Sequence, residues 1–132
     1  MKTIIAGSRS IDDPQYLINA VNQIDWEITE VVSGTAEGVD QMGEEFAEEN
    51  DIPVKKFPAD WDRHGKSAGA IRNQEMAEYS DAAVILWDGE SNGTAIMIQK
   101  AAEEDLETFI CEVPDQNQET LEGVAEQAEW CK

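Results

Sequence analysis

Cysteine and histidine are almost absent from this 132-residue chain, which has two cysteines and one histidine. Cys111 and Cys131 are too few for a disulfide framework, and we expect free thiols in a reducing cytoplasm. One histidine and two distant cysteines match no recognised zinc pattern. The sequence therefore predicts no metal site and no cofactor.

Long hydrophobic runs are also absent. No apolar segment approaches the roughly 20 residues that cross a bilayer. The opening stretch Met1–Gly7 is too short and too quickly broken for a signal peptide. The sequence therefore predicts a cytoplasmic protein that has no membrane partner.

Positive charge is scarce, since lysine and arginine together number 9 against 29 acidic residues, for a formal net charge of −20. A surface this negative repels phosphates, which excludes a general nucleic-acid surface and attachment to an anionic membrane. The acids are spread along the chain, as is typical of proteins that stay soluble in molar salt. We therefore expect a halophilic host or a virus of one, with an ordinary acidic protein as the alternative.

Hydrophobic residues make up 41% of the chain, enough for the core of one domain spanning residues 1–132. Strands are predicted near Thr3–Ala6, Glu30–Ser33, 52–57, Ala82–Trp87 and Thr108–Val113. Helices are predicted from Asp13-Pro14, after Gly38, over 70–79, over 94–104 and over about 116–129, with a polar loop at 58–69. Strands that alternate with helices predict an α/β fold, a doubly wound parallel sheet of about five strands with helices on both faces.

Four predicted strand ends carry polar or glycine-rich loops, and ligands of such sheets bind beyond the carboxyl ends of the strands. Glycine lets the backbone approach a ligand closely, and a helix that starts in such a loop offers free N–H groups to phosphate. Neither glycine-rich loop matches a Walker phosphate motif or the G-x-G-x-x-G of dinucleotide enzymes. The candidate ligand-binding residues are Gly7, Ser8, Arg9, Ser33, Gly34, Thr35, Gly38, Asp40, Trp61, Asp62, Arg63, His64, Lys66, Arg72, Asn73, Asp88, Gly89, Ser91, Gly93 and Thr94.

The few positive charges concentrate in these loops. All three arginines, Arg9, Arg63 and Arg72, lie in or beside them, as do His64 and Lys66. Guanidinium groups bind phosphate and carboxylate oxygens, so the cluster predicts a site for an anionic ligand. The alternative is that each arginine pairs with a nearby acid, because ion-pair networks imitate functional sites.

Several of these side chains have two interpretations. Trp61 and Trp87 are candidates for stacking a base, although Trp87 at a strand end is equally a packing residue. Ser8 and Ser33 either donate to phosphate or cap local backbone. His64 is either a general base or, as we favour, a polar contact within its loop.

Five ordered blocks resemble the SLOG superfamily and, within it, the small YspA/YpsA-related branch. The blocks are TIIAGSR at 3–9, VSGTAEGVD at 32–40, FPADWDRHGKSAG at 57–69, IRNQEMAE at 71–78 and WDGESNGT at 87–94. The resemblance extends to about residue 113 and implies a Rossmann-like fold related to DprA and to the LOG enzymes. It also implies a nucleotide or nucleotide-derived ligand, often in a sensing role.

One departure from these relatives bears on catalysis. The LOG enzymes cleave nucleoside monophosphates at the N-glycosidic bond and pair an arginine with a glutamate in G-G-x-G-T-x-x-E. Here Gly93-Thr94 matches G-T and Arg72 matches the arginine, but Met97 occupies the glutamate position. The catalytic candidates are therefore Arg72 with Glu75 or Asp88, and Glu90 is a further substitute carboxylate.

Three functions are consistent with these residues. The favoured one is binding or sensing of a phosphate-bearing nucleotide derivative at the carboxyl ends of the strands. The alternative is LOG-like phosphoribohydrolase activity that uses Arg72 and a substitute carboxylate. The third is an interaction module with a vestigial pocket, in which helix faces such as Met42–Phe46 or Ile96–Met97 join copies into a homo-oligomer.

Overall fold

The structure, a computed structural model, describes residues 1–113 and contains a five-stranded sheet with helices between the strands. The strands are β1 Lys2–Gly7, β2 Glu30–Ser33, β3 Val54–Lys56, β4 Ala82–Trp87 and β5 Glu107–Glu112. The helices are α1 Pro14–Val21, α2 Val39–Glu49, α3 Trp61–His64, α4 Ala68–Tyr79 and α5 Asn92–Glu103, with a 3-10 turn at Gly65–Ser67. The helix predicted over about 116–129 lies outside the described residues.

The sheet is parallel throughout, and its strand order is β3-β2-β1-β4-β5. β2 and β3 follow one another on one side of β1, whereas β4 and β5 lie on its other side. This order confirms the predicted Rossmann-like α/β fold. It also creates a switch point between β1 and β4, where the carboxyl ends of the strands diverge and leave a crevice.

Helices cover both faces of the sheet, as predicted. On one face Leu17 of α1 and Val39 of α2 pack with Ile5, and on the other Met76 of α4 and Met97 of α5 pack with Ile4. Successive side chains of a strand point to opposite faces, so a strand covered on both faces is apolar at every position. That burial explains why β1 and β4 appear in the sequence as continuous apolar runs.

Two of the helix residues considered for a homo-oligomer interface, Met42 and Met97, lie in the core. Met42 is 8% exposed and Met97 is 2% exposed, and each belongs to a core cluster beside the sheet. Phe46 packs against the same cluster as Met42. Met42 and Met97 are therefore packed within the chain, while the homo-oligomer itself stays a prediction.

Local capping explains where two helices begin. The Asp13 carboxylate accepts a hydrogen bond from the Gln15 amide at 2.9 Å, and Pro14 holds the first position of α1, as predicted. The continuous polar loop predicted at 58–69 is wrong, because α3 and the 3-10 turn lie within it and α4 begins at Ala68. The Asp60 carboxylate accepts from the Arg63 amide at 3.1 Å and starts this extra helix.

Within residues 1–113, no helix has the length and apolar character needed to cross a bilayer. Cys111 is disulfide-bonded, so the expectation of a free thiol is wrong at this residue. Cys131 lies outside the described residues.

Candidate ligand-binding cavity

A cavity of about 510 Å³ opens at the carboxyl ends of β1 and β4, at the switch point of the sheet. Its wall combines residues from the β1–α1 loop, the start of α2, the segment from α3 to α4, and the β4–α5 loop. The predicted ligand-binding residues that line it are Gly7, Arg9, Asp40, Trp61, Lys66, Arg72, Asn73, Asp88, Ser91, Gly93 and Thr94. The topology thus brings all four predicted loops together in one place.

The other predicted residues do not line the cavity. They are Ser8, Ser33, Gly34, Thr35, Gly38, Asp62, Arg63, His64 and Gly89. Arg63 and His64 belong to α3, whose contribution to the wall is Trp61. The catalytic candidate Glu75 is exposed on α4 and does not line the cavity either.

Sequence reasoning missed the small and apolar part of the wall. These residues are Ala6, Ser10, Ala36, Gly69, Ala70, Met76, Ile96 and Met97. Met76 and Met97 are 1% and 2% exposed, so in the sequence they have the pattern of ordinary core positions. Gly69 and Ala70 do carry a signal in the sequence, because they precede Arg72 by less than one helical turn.

Neutral groups hold the Arg72 guanidinium in the cavity wall. Its Nη1 donates to the Gly34 carbonyl at 2.5 Å, and its Nε donates to the Asn73 side-chain oxygen at 2.8 Å. Burial lowers the pKa of Arg72, and the charge of Asp40 opposes that effect. Arginine remains charged at neutral pH, so the wall carries a fixed positive charge.

Asn73 connects this guanidinium to the opposite side of the cavity. The residue is 8% exposed, and its Nδ2 donates to the Gly93 carbonyl at 3.4 Å. Arg72 and Asn73 together therefore bridge the β2–α2 loop to the first turn of α5. Such links restrict the orientation of the guanidinium before any ligand arrives.

Gly34 acts from behind the wall by having no side chain. A Cβ at this position would lie 2.7 Å from Nη1 of Arg72 and 2.9 Å from Oδ2 of Asp40. Both distances are shorter than real carbon contacts, so any larger residue would displace one of the two groups. Glycine therefore allows the guanidinium and the carboxylate to approach the same stretch of backbone.

Asp40, the second residue of α2, is a buried carboxylate that faces the cavity. It is 6% exposed, and its Oδ2 accepts a hydrogen bond from the Ala36 amide at 3.1 Å. Desolvation raises the pKa of Asp40 to about 6, against the lowering effects of the Ala36 amide and of Arg72. Sequence reasoning placed Asp40 in the site but did not identify it as the carboxylate beside Arg72.

Asp88 lines the cavity, but its oxygens shape the β4–α5 loop. Its Oδ1 accepts from the amides of Glu90 and Ser91 at 2.8 and 2.7 Å, and its Oδ2 accepts from the Ser10 hydroxyl at 3.3 Å. Desolvation raises the pKa of Asp88, but the Glu90 and Ser91 hydrogen bonds outweigh it, so the pKa lies below its usual value. Asp88 is thus a charged loop-forming residue.

The two serines with two interpretations both cap local groups. The Ser8 hydroxyl accepts from the Asp88 amide at 3.1 Å and lies 3.4 Å from the Thr94 hydroxyl. The Ser33 hydroxyl donates to Glu44 at 2.6 Å and accepts from the Thr35 amide at 3.1 Å. Both therefore stabilise the loops behind the cavity.

The two tryptophans have different environments. The Trp87 ring lies off the cavity wall, and its Nε1 donates to the Ser91 carbonyl at 3.1 Å. Trp61 lines the cavity and is 55% exposed. Of the two, Trp61 presents its ring to the open space of the cavity.

The arginines of the described residues do not pair with acids. Among residues 1–113, the ion pairs within 4.0 Å are Lys56–Glu44 and Lys100–Glu103. Arg9, Arg63 and Arg72 take part in neither, although the charges of Arg72 and Asp40 attract each other at longer range. That part of the chain also holds no group of three or more histidine, cysteine or acidic side chains placed to bind a metal ion.

Comparison with known proteins agrees with the first part of the sequence resemblance. The model of the YspA, cpYpsA-related SLOG family matches residues 1–64, which include the first two blocks and part of the third. The blocks at 71–78 and 87–94 lie beyond that match. Searches of curated proteins and of solved structures found no significant match. Over residues 1–64, just under half of its length, the chain is therefore similar to the YspA, cpYpsA-related SLOG family.

Proposed function

We propose that the cavity binds or senses a nucleotide or nucleotide-derived ligand through its phosphate. Ligands of open parallel sheets bind in the crevice at the switch point, which is where this cavity opens. Its volume of about 510 Å³ falls within the range of small-molecule sites, roughly 300–1,000 Å³. Location and size therefore suit a ligand of nucleotide dimensions.

The environment of Arg72 carries this proposal. In a chain with 29 acidic residues, its half-buried guanidinium contacts the Gly34 carbonyl and the Asn73 amide and no carboxylate of the described residues. Its Nη2 has no hydrogen-bond partner there and would lie 3.9 Å from a Cβ on Gly69, a residue of the cavity wall. A preoriented guanidinium with a free nitrogen at a cavity is suited to bind a phosphate oxygen.

Two further cations extend this positive region toward solvent. Arg9 and Lys66 line the cavity, and both are exposed. Neither belongs to an ion pair of the described residues. Their charges favour the approach of an anion to a protein whose remaining surface repels it.

Trp61 supplies an aromatic face for the base of such a ligand. An atom of its ring would lie 3.6 Å from a Cβ on Gly69, next to the position that the Arg72 Nη2 also approaches. Aromatic rings stack on any base at about 1–3 kcal/mol per base. A phosphate at Arg72 and a base against Trp61 therefore fit within one ligand.

Substitution of Arg72 by alanine tests the proposal. We expect Arg72→Ala to weaken binding of nucleoside 5′-monophosphates at least about tenfold, because a charge-assisted hydrogen bond contributes roughly 1.5–3 kcal/mol. The matched control is Arg63→Ala, which removes the same charge from α3 but off the cavity wall, and should bind as the original protein does. Isothermal titration calorimetry in high salt gives the affinities, and circular dichroism checks the fold. Equal affinities of Arg72→Ala and the original protein would contradict the proposal.

Hydrolysis of the N-glycosidic bond is the second candidate function, and Asp40 is the observation that favours it. The predicted substitutes for the missing glutamate are poorly placed, since Glu75 is off the wall and Asp88 is engaged in its loop. Asp40 is a buried carboxylate beside Arg72 on the cavity wall. Release of free base from nucleoside monophosphates, lost in both Arg72→Ala and Asp40→Asn, would distinguish hydrolysis from binding alone.

A further inference from the structure

We infer that Asp40 makes the cavity selective for a phosphate that carries neighbouring hydroxyl donors, as a sugar phosphate does, over a phosphate that lacks them. This selectivity rests on the proposed function, because it presupposes that an anion binds at Arg72. It adds the class of the ligand and assigns Asp40 as the residue that determines specificity.

The Asp40 carboxylate has acceptor capacity that the described residues leave unused. An ionised carboxylate offers about four lone-pair positions on two oxygens. The hydrogen bond that Asp40 accepts comes from the Ala36 amide, and no cation lies within 4.0 Å of its oxygens among residues 1–113. Because Asp40 is 6% exposed and lines the cavity, any further donor to its carboxylate must come from a group inside the cavity. A donor brought by a ligand would therefore stabilise it.

The two terminal nitrogens of the Arg72 guanidinium face different surroundings, so an anion and the group that meets Asp40 would lie on different sides of it. Its Nη1 lies on the side of Gly34, where it is bonded to the carbonyl and where Asp40 Oδ2 also packs. Its Nη2 lies on the side of Gly69 and Trp61 and is free. An anion thus has access to Nη2, while the group that meets Asp40 lies on the other side.

The charges around Asp40 determine which ligand group can lie next to its carboxylate. The charged residues that act on Asp40 are Arg72 from α4, Arg9 from the β1–α1 loop and Glu44 from α2 itself. A second phosphate oxygen near Asp40 would be repelled both by this carboxylate and by Glu44. A hydroxyl carries no net charge, donates to the carboxylate and can accept from a neighbouring N–H. Vicinal hydroxyls next to a phosphate therefore suit the Arg72–Asp40 site better than a second phosphate oxygen near Asp40 would.

The protonation state of Asp40 gives this selectivity a pH dependence. Because the pKa of Asp40 is raised to about 6, the carboxylate is charged at pH 7.5 and largely protonated at pH 5. Protonation removes the acceptor charge that favours hydroxyls and also the repulsion that disfavours anions. The preference for a hydroxylated ligand should therefore shrink as the pH falls through 6.

The experiment compares each of the four ribonucleoside 5′-monophosphates with its 2′,3′-dideoxy counterpart by calorimetry at pH 7.5 in 2 M KCl. Each pair shares its base and its phosphate, so the ratio of affinities reports the hydroxyls. In the original protein we expect the ribonucleotide that binds best to exceed its dideoxy form about tenfold or more. In Asp40→Asn, which keeps an oxygen for the Ala36 amide, the ratio should fall to within about threefold. Glu45→Gln, the same change at an exposed position of α2, should keep the original ratio.

The outcomes separate the specificity of Asp40 from the phosphate site itself. A ratio near one in the original protein, or a large ratio that survives in Asp40→Asn, overturns the role of Asp40 while leaving the proposed function intact. Failure of both members of every pair to bind to the original protein overturns the proposed function and, with it, the selectivity. A ratio in the original protein that does not shrink at pH 5 likewise overturns the assignment to a titrating carboxylate.

Discussion

Asp40 lowers the stability of the fold at neutral pH, because burial disfavours its charged form. An acid whose pKa rises from 3.8 to about 6 on folding binds more protons in the folded state between those values. Stability therefore falls as the pH rises from about 4 to about 6 and loses nothing further from this group at higher pH. A residue of this kind is typical of a site that is kept for function at a cost in stability.

Asp40→Asn should remove that cost. We expect the free energy of unfolding at pH 7.5 to rise by about 1–3 kcal/mol, with a smaller change near pH 4, where Asp40 is protonated in the folded state and only partly ionised in the unfolded state. Urea titrations at the two pH values in 2 M KCl measure the difference. Asp88→Asn is the control of opposite sign, since the pKa of Asp88 lies below its usual value and its charged form favours folding. A loss of stability in Asp40→Asn at pH 7.5 would contradict this account.

Gly34→Ala should damage binding more than folding. The added Cβ would lie 2.7 Å from Nη1 of Arg72, so the guanidinium must leave its hydrogen bond to the Gly34 carbonyl. We expect nucleotide affinity to fall about tenfold, the loss of one charge-assisted contact, with unfolding free energy lowered by less than about 2 kcal/mol. Calorimetry that shows the same nucleotide affinity for Gly34→Ala as for the original chain would count against the steric role of Gly34.

At the residue scale, the sequence indicates which loops hold the site but not which side chains meet. Arg72 and Asp40 were both predicted in the site, yet carboxylates near Arg72 or near the β4–α5 loop were preferred as its partner. α2 and α4 lie on opposite faces of the sheet, and their first turns meet at its carboxyl edge only once the topology is known. Long-range neighbours of this kind leave no spacing signal in one sequence.

Among the elements, the contact between the ends of β1 and β4 gives the cavity its floor. A Cβ on Gly7 would lie 2.3 Å from the Leu86 carbonyl oxygen and 2.7 Å from Cγ2 of Val39. The same carbonyl accepts the Ser8 amide at 3.0 Å. Backbone oxygen in a sheet cannot move without loss of pairing, so position 7 has room for glycine alone.

Gly7→Ala should therefore destabilise the whole fold. We expect a loss of at least about 2 kcal/mol in unfolding free energy, the upper part of the range for overpacked sites. Gly93→Ala serves as the control, because a Cβ there would meet nothing within 4 Å and alanine favours a helix. Urea denaturation of both variants measures the effect. Equal stabilities of Gly7→Ala and Gly93→Ala would contradict the close packing of β1 against β4.

Elements with strong patterns were predictable, and elements without them were not. β1 and β4 are buried on both faces, so their apolar runs were visible in the sequence. The strand predicted over 52–57 is limited to β3 Val54–Lys56, at the edge of the sheet. Lys55 and Lys56 are exposed there, and no apolar run marks the ends of the strand. α3 has four residues, too few to show a helical period, and its one signal was the capping residue Asp60.

At the scale of the molecule, acids crowd one another, while Arg9, Arg63 and Arg72 belong to no ion pair among residues 1–113. The exposed acids Glu45, Glu48 and Glu49 follow one another on α2, whose last turn has no basic residue. Negative charge at the C-terminal end of a helix also opposes the helix dipole. Among residues 1–113 the ion pairs are Lys56–Glu44 and Lys100–Glu103, so most surface acids depend on solvent ions to relieve their repulsion.

Salt should consequently stabilise the protein. The screening length falls from about 10 Å at 0.1 M salt to about 3 Å at 1 M, which is shorter than the spacing of many neighbouring surface charges. We expect the melting temperature to rise continuously from 0.1 to 2 M KCl, as a halophilic origin predicts. The variant in which Glu45, Glu48 and Glu49 are all glutamine should melt higher than the original chain at 0.1 M KCl and gain less from added salt, because it starts with less repulsion.

A melting temperature of the original chain that is flat or falls over this range would remove the halophilic explanation of its acidity. The phosphate site would stand unaffected by that result, since it depends on the position of Arg72 at the switch point and not on the number of acids around it.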